Sequence, residues 1–132
     1  MLSGDRNTPY KVAVLVALPM AAGAEIFAGA LVAIDADGFA TPGETATGLA
    51  YFGRADEHVD NGDGADGDKQ VMVRRGEAFK WENSAGDPVT QASLGRTCYI
   101  EDDETVSGTD GEGAQSACGT VIQIDEDGVW VA

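Results

Sequence analysis

Between residues 56 and 68 the chain reads DEHVDNGDGADGD, and chemistry-bearing side chains are densest here. Asp60, Asn61, Asp63, Asp66 and Asp68 are hard oxygen donors of the kind calcium takes. The EF-hand pattern is D-x-[DN]-x-[DN]-G with Glu at position twelve. Counted from Asp60, position three is Gly62 and position twelve is Val71, so the pattern fails. A nonapeptide calcium repeat would need several copies of its phrase. The run therefore reads as a solvated acidic loop, and neither a metal nor another cofactor is expected. His58 is the one histidine. With no second imidazole to join it, and with Asp56, Glu57 and Asp60 beside it, it reads as an exposed side chain rather than a ligand.

Other reactive types are also poorly placed. No serine stands in G-x-S-x-G, and any triad would have to use His58. Cys98 has no histidine near it, and the acidic run after it would raise a thiol pKa. If residues 98–106 and 116–124 form a simple hairpin, Cys118 falls opposite Glu104, so two free, mostly buried thiols are expected. Glu101-Asp102-Asp103-Glu104 could offer a carboxylate pair, but acid–base work needs two contrasting environments, and this run looks uniformly wet. Gly62, Gly64 and Gly67 lie in an acidic loop that would repel phosphate. No catalytic residue is expected, and the chain does not read as an enzyme.

The totals point the same way. At 132 residues the chain fits one domain with a modest core. Hydrophobic residues make up 43%, much of it alanine, and glycine contributes 18 residues, which favours short strands, many turns and a thin core. The net charge of −15 repels nucleic-acid backbones and keeps a protein soluble at high local density. A salt-rich host would also produce an Asp-rich, Lys-poor surface. Of 8 basic residues, Arg6 and Lys11 lie near the N-terminus, and Arg74, Arg75 and Lys80 fall in one predicted hairpin. That distribution suggests a body with one face able to meet an acidic or mixed protein surface.

The elements that must hold these residues are strands. Residues 31–54 form the central stretch. Val32 and Ile34 lead into the turn Asp35-Ala36-Asp37-Gly38, and Phe39 and Thr41 follow. A four-residue loop pairs Ile34 with Phe39 and Val32 with Thr41, keeping apolar side chains on one face. The phrase returns at residues 122–131, where Ile122 and Ile124 face Val129 and Val131. Beyond residue 48, Leu49 and Tyr51 share one face, with Ala50 and Phe52 on the other. Residues 70–74 and 78–81 read as a hairpin around Arg75-Gly76-Glu77, pairing Val73 with Phe79 and Val71 with Trp81. Residues 89–94 read as one helical turn ended by Gly95, and residues 97–100 and 105–106 as strands. Near the N-terminus, Arg6, Lys11, an apolar run and Ala22-Gly23-Ala24 imitate a secretory signal. Asp5 and Pro19 oppose that reading, and the run is too short to span a membrane. Residues 11–18 are expected to be a strand, after a polar arm that needs a partner to order it. The fold class is all-β: a small β-barrel or β-sandwich of short antiparallel strands with an extended N-terminal arm. Residues 1–30 are taken as the arm with one strand, and 31–132 as the β body.

Three segments carry a resemblance: TGLAYFGRADEHVDN (47–61), VMVRRGEAFKWENSAGDPVTQASLGRTCYIEDDETV (71–106) and GTVIQIDEDGVWV (119–131). They resemble the small head-decoration, or cement, proteins of Mu-like and related tailed bacteriophages. The resemblance implies a small β-barrel or β-sandwich, usually a homotrimer, on the outer capsid surface of the virion. It implies binding at three-fold or quasi-three-fold positions between hexamers of the major capsid protein, with a terminal arm reaching along the lattice or into a neighbouring subunit. It implies no catalytic residue. The contact residues expected on this basis are Arg6, Thr8, Pro9, Tyr10 and Lys11 in the arm, and Arg74, Arg75 and Lys80 in the basic hairpin. Partners are the major capsid protein and the chain itself, with neither nucleic acid nor membrane. The alternative is a calcium-dependent secreted β module of adhesin or carbohydrate-binding type, using residues 60–68.

Overall fold

The computed structural model describes residues 1–9 and 11–132. Its strands, in chain order, are β1 (Leu15–Pro19), β2 (Glu25–Ile26), β3 (Leu31–Ile34), β4 (Ala40–Pro42), β5 (Ala50–Ala55), β6 (Val59–Asp60), β7 (Gln70–Arg74), β8 (Phe79–Asn83), β9 (Thr97–Ile100), β10 (Thr105–Ser107), β11 (Ala117–Asp125) and β12 (Gly128–Val131). One 3₁₀ turn, Gln91–Ser93, precedes Gly95. The all-β expectation holds, with short strands that pair almost throughout in antiparallel fashion.

The strands make two curled units. The first has the order β1-β7-β5-β3-β4. Its edges meet where Met20, just after β1, bridges in parallel to Ala40, and the Ala21 N–H donates to the Ala40 carbonyl at 2.9 Å. The small β2–β6 pair adds Ile26 and Val59 to its core. The second is a closed barrel, β10-β8-β12-β11-β9, sealed by a parallel contact between β10 and β8.

Strand β3 belongs to both cores. Successive side chains of a strand point to opposite faces. Leu31 and Ala33 enter the barrel core with Trp81, Ile100, Val106 and Val129. Val32 and Ile34 enter the first core with Met20, Ile26, Val71 and Val73. Strand β5 repeats the device: Tyr51, with Leu49 just before it, packs toward the barrel, while Phe52 and Ala55 pack on the first core. These two strands form a wall with a core on either side.

Register differs from expectation in four places. Ile34 pairs with Ala40 rather than Phe39. The reason is Asp35: its carboxylate accepts the N–H groups of Asp37 (3.0 Å) and Phe39 (2.9 Å), and its own N–H donates to the Phe39 carbonyl, so Phe39 stays in the loop. In the C-terminal hairpin Ile124 does pair with Val129. A bulge at Ile122 then sets Val121, not Ile122, against Val131, and leaves Ile122 49% exposed. The expected β7–β8 hairpin is a crossover. β7 pairs with β1 and β5, and β8 with β12 and β10, so Val71 and Val73 are in one core and Phe79 and Trp81 in the other. Gly76 still holds the left-handed position, at φ 81°. Finally, residues 98–106 are not one strand. The chain folds back between β9 and β10, with Val106 opposite Ile100 and the Glu104 N–H on the Asp102 carboxylate at 2.9 Å. Cys118 therefore does not oppose Glu104. It lies instead, with Gly119, in the irregular stretch beside Cys98, between the pairs Ala117–Tyr99 and Thr120–Thr97.

Strand β1 starts at Leu15 rather than Lys11 and pairs with β7 over five residues. Met20, Ile26 and Ala30 are core residues, so residues from Leu15 on belong to the body and residues 1–14 precede it as the arm. No helix among the described residues is long and apolar enough to cross a membrane.

Candidate contact surfaces

The arm and one arginine come together. Arg6, Thr8, Pro9 and Lys11 are all exposed. Tyr10 lies outside the described residues. The arm joins the body where the Arg75 N–H donates to the Val14 carbonyl at 2.8 Å. The exposed Arg75 guanidinium lies 4.4 Å from the centre of the Phe52 ring, a cation–π contact, and has no acidic partner among the described residues. Beside it runs a groove of about 600 Å³ between the two units, lined by Tyr51, Phe52, Arg75, Phe79, Cys118 and Ile122 among others.

Arg74 and Lys80 are placed differently. Arg54 and Arg74 are register partners on β5 and β7, an arrangement in which like charges repel. Asp56 resolves it by accepting from Arg54 Nη2 at 2.7 Å and from Arg74 Nη2 at 3.1 Å and Nε at 3.3 Å. Those hydrogen bonds, Arg74's first, hold the Asp56 carboxyl below its usual range and raise Arg74. Lys80 sits on the barrel, with Nζ 2.5 Å from Asp127 and 3.6 Å from Asp125. Its hydrogen bond with Asp127 lifts the ammonium above its ordinary value. Both cations are thus neutralised within the chain, and among the described residues Arg75 alone of the basic stretch has no acidic partner.

The acidic loop spends much of its oxygen on itself. Asp60 Oδ1 accepts the Gly62 N–H (2.7 Å), Asp68 Oδ2 the Ala65 N–H (2.9 Å), and Asp66 Oδ1 the Ala22 N–H (2.7 Å). Asn61 is 1% exposed and donates through Nδ2 to the Ala21 and Ala65 carbonyls, pinning the loop to the segment after β1. Lys69 Nζ caps the Asp60 carbonyl at 2.5 Å. Among the described residues no three acidic, histidine or cysteine side chains converge as a metal ion would require. His58 is exposed, stacked on Phe27 at 4.6 Å, with Nε2 3.0 Å from the Glu25 carboxylate.

Two buried polar features escaped the sequence. The Ser116 hydroxyl donates to the Ala46 carbonyl (2.7 Å) and accepts the Leu49 N–H (3.0 Å), fastening the segment before β5 to the barrel. The Tyr51 hydroxyl is buried without a hydrogen-bond partner. Burial, then the neighbouring Cys118, pushes this phenol above its ordinary value of 10.0. The folded state therefore resists ionisation that the unfolded chain allows. The contribution is intact below about pH 10 and falls as pH rises beyond it, by at most about 1.4 kcal/mol per pH unit. Urea midpoints should accordingly drop more steeply between about pH 9 and pH 11 in the native chain than in Tyr51→Phe. Equal slopes would remove Tyr51 as the cause.

No protein-family model matches this sequence, and no match was found among curated proteins or among solved structures.

Proposed function

We propose that this chain is a capsid decoration protein of tailed bacteriophages. It binds the outer capsid surface as a homotrimer at three-fold or quasi-three-fold positions and clamps neighbouring major capsid subunits. The reading rests on the resemblance of residues 47–61, 71–106 and 119–131 and on one structural observation. A closed β body carries an exposed arm, bearing the cations Arg6 and Lys11, that joins it where the Val14 carbonyl accepts the Arg75 N–H, while most other loops are acidic. Such an arm orders only against a partner, gaining contact area at an entropic cost. Many weak sites repeated by symmetry stabilise a shell, because each bound copy favours the assembled state. Acidic loops keep a densely covered particle dispersed.

Deleting residues 1–11 tests this directly. The truncated protein should keep its circular dichroism and melting temperature, since β1 begins at Leu15, and should lose most of its binding to undecorated capsids. Full occupancy by the truncated protein, seen by negative-stain microscopy, would refute the arm's role. Failure of the intact chain to bind any such capsid would refute the function itself.

A further inference from the structure

Cys98 and Cys118 face each other across the seam between β9 and β11. Ala117 pairs with Tyr99, and the next residues along the two strands are Cys118 and Cys98. Thr120 then pairs with Thr97, which makes Cys118 and Gly119 a bulge that shares Cys98 as its partner. Cys98 Sγ lies 3.7 Å from the Gly119 carbonyl oxygen. Both cysteines are free. Their environments differ in a useful way. Cys98 is fully buried in the barrel core, whereas Cys118 is partly exposed and opens on the groove beside Phe52 and Arg75.

We infer that Cys98 and Cys118 form a two-electron redox site, which a small-molecule disulfide such as glutathione disulfide oxidises to an intramolecular cross-strand disulfide. Cys118 is the sulfur a solvent oxidant can reach. Its thiolate attacks one sulfur of the oxidant, that S–S bond breaks, and one small thiol leaves with the proton Cys118 gave up. Cys98, held against Cys118, then attacks the Cys118 sulfur of the mixed disulfide. The second small thiol departs with the Cys98 proton. Two protein thiols and one small disulfide become one protein disulfide and two small thiols. The hydrogen bond with Cys98, and then burial, hold the Cys118 thiol well above its ordinary range. The first exchange is therefore slow at neutral pH and quickens as pH rises. The product ties β9 to β11 at the bulge, the irregular seam of the barrel. This inference stands independently of the proposed function.

The test uses the full chain, reduced and then incubated with glutathione disulfide at mildly alkaline pH. Aliquots are denatured, treated with N-ethylmaleimide and weighed by mass spectrometry. The expected product lacks two hydrogens, takes up no maleimide and yields a peptide linking Cys98 to Cys118. Its melting temperature should rise by about 10 °C and return on reduction with dithiothreitol. In Cys118→Ser the buried Cys98 should remain free throughout. Four results would overturn the inference: two cysteines still open to maleimide, a lasting glutathione adduct on Cys118 beside a free Cys98, a disulfide between two chains, or a fall in melting temperature on oxidation.

Discussion

Leu31→Ala is expected to lower the unfolding free energy by about 3 kcal/mol, since Leu31 is fully buried at the top of the wall strand. For a chain of this size that corresponds to a melting point lower by about 10 °C. The more telling result comes from its neighbour. Val32→Ala removes buried methyl groups from the other core, at a cost of about 2 kcal/mol. Both tryptophans, Trp81 and Trp130, lie on barrel strands, so their fluorescence reports barrel unfolding alone. Because one strand supplies both cores, the Val32 variant should shift the fluorescence transition as far as it shifts the far-ultraviolet circular dichroism transition. A fluorescence midpoint that stays put would mean that the two units unfold separately. Ile122→Ala serves as a control: its side chain is half exposed at the bulge, so its effect should stay within about 0.5 kcal/mol.

Gly53→Ala is the other large effect. A β-carbon at this position would stand 2.1 Å from the Arg74 carbonyl oxygen, and backbone cannot step aside as a side chain can. The clash falls where β5 runs beside β7, in the strand that walls both cores, and where the β3–β5 register shifts between Val32 and Ala33. A cost of about 3 kcal/mol is expected, with pairing around Arg54 and Arg74 disturbed. Gly76→Ala separates space from conformation. Nothing lies within 4 Å of its missing β-carbon, but φ is +81°, so only the left-handed backbone opposes the change. That should cost about 1 kcal/mol. Chemical denaturation of both variants checks the order. A Gly53→Ala variant no worse than Gly76→Ala would mean that β5 and β7 do not approach this closely.

Strand positions were largely legible, because β-branched and aromatic runs bounded by Gly and Asp carry the signal locally. The split of Tyr51 and Phe52 onto opposite faces was visible for the same reason. Partnership was not. Arg75-Gly76-Glu77 suits a tight hairpin and also suits a crossover between two units, and nothing nearby distinguishes them. The register around residues 34–40 turned on how a single carboxylate, Asp35, chose its donors. The burial of Ile26 and Asn61 was hidden in segments dominated by small or polar neighbours. Within the basic stretch, the charge of Arg75 is legible in the sequence, but the pairing of Arg74 and Lys80 depends on Asp56 and Asp127, acids brought in from other elements. The meeting of Cys98 with Cys118 is hidden in the sequence, because the acidic run at 101–104 suits an exposed piece of strand as well as the turn that ends β9.

The pairing pattern also sets the order in which the chain can assemble. β3–β4, β9–β10 and β11–β12 join residues close in sequence and can form within microseconds. Closure of the first unit must bring Leu15 to Arg74, and the barrel must bring Phe79 to Val131, steps of the slow, loop-closing kind. Until then the apolar edges of β3 and β11 stand open to other unfinished chains. Asp35 and Asp37 at the end of β3, and Asp125, Glu126 and Asp127 at the end of β11, put charge at those edges. Charge so placed opposes edge-to-edge aggregation while closure is pending, so the same acidic turns that set the hairpin registers also suit the part of gatekeepers.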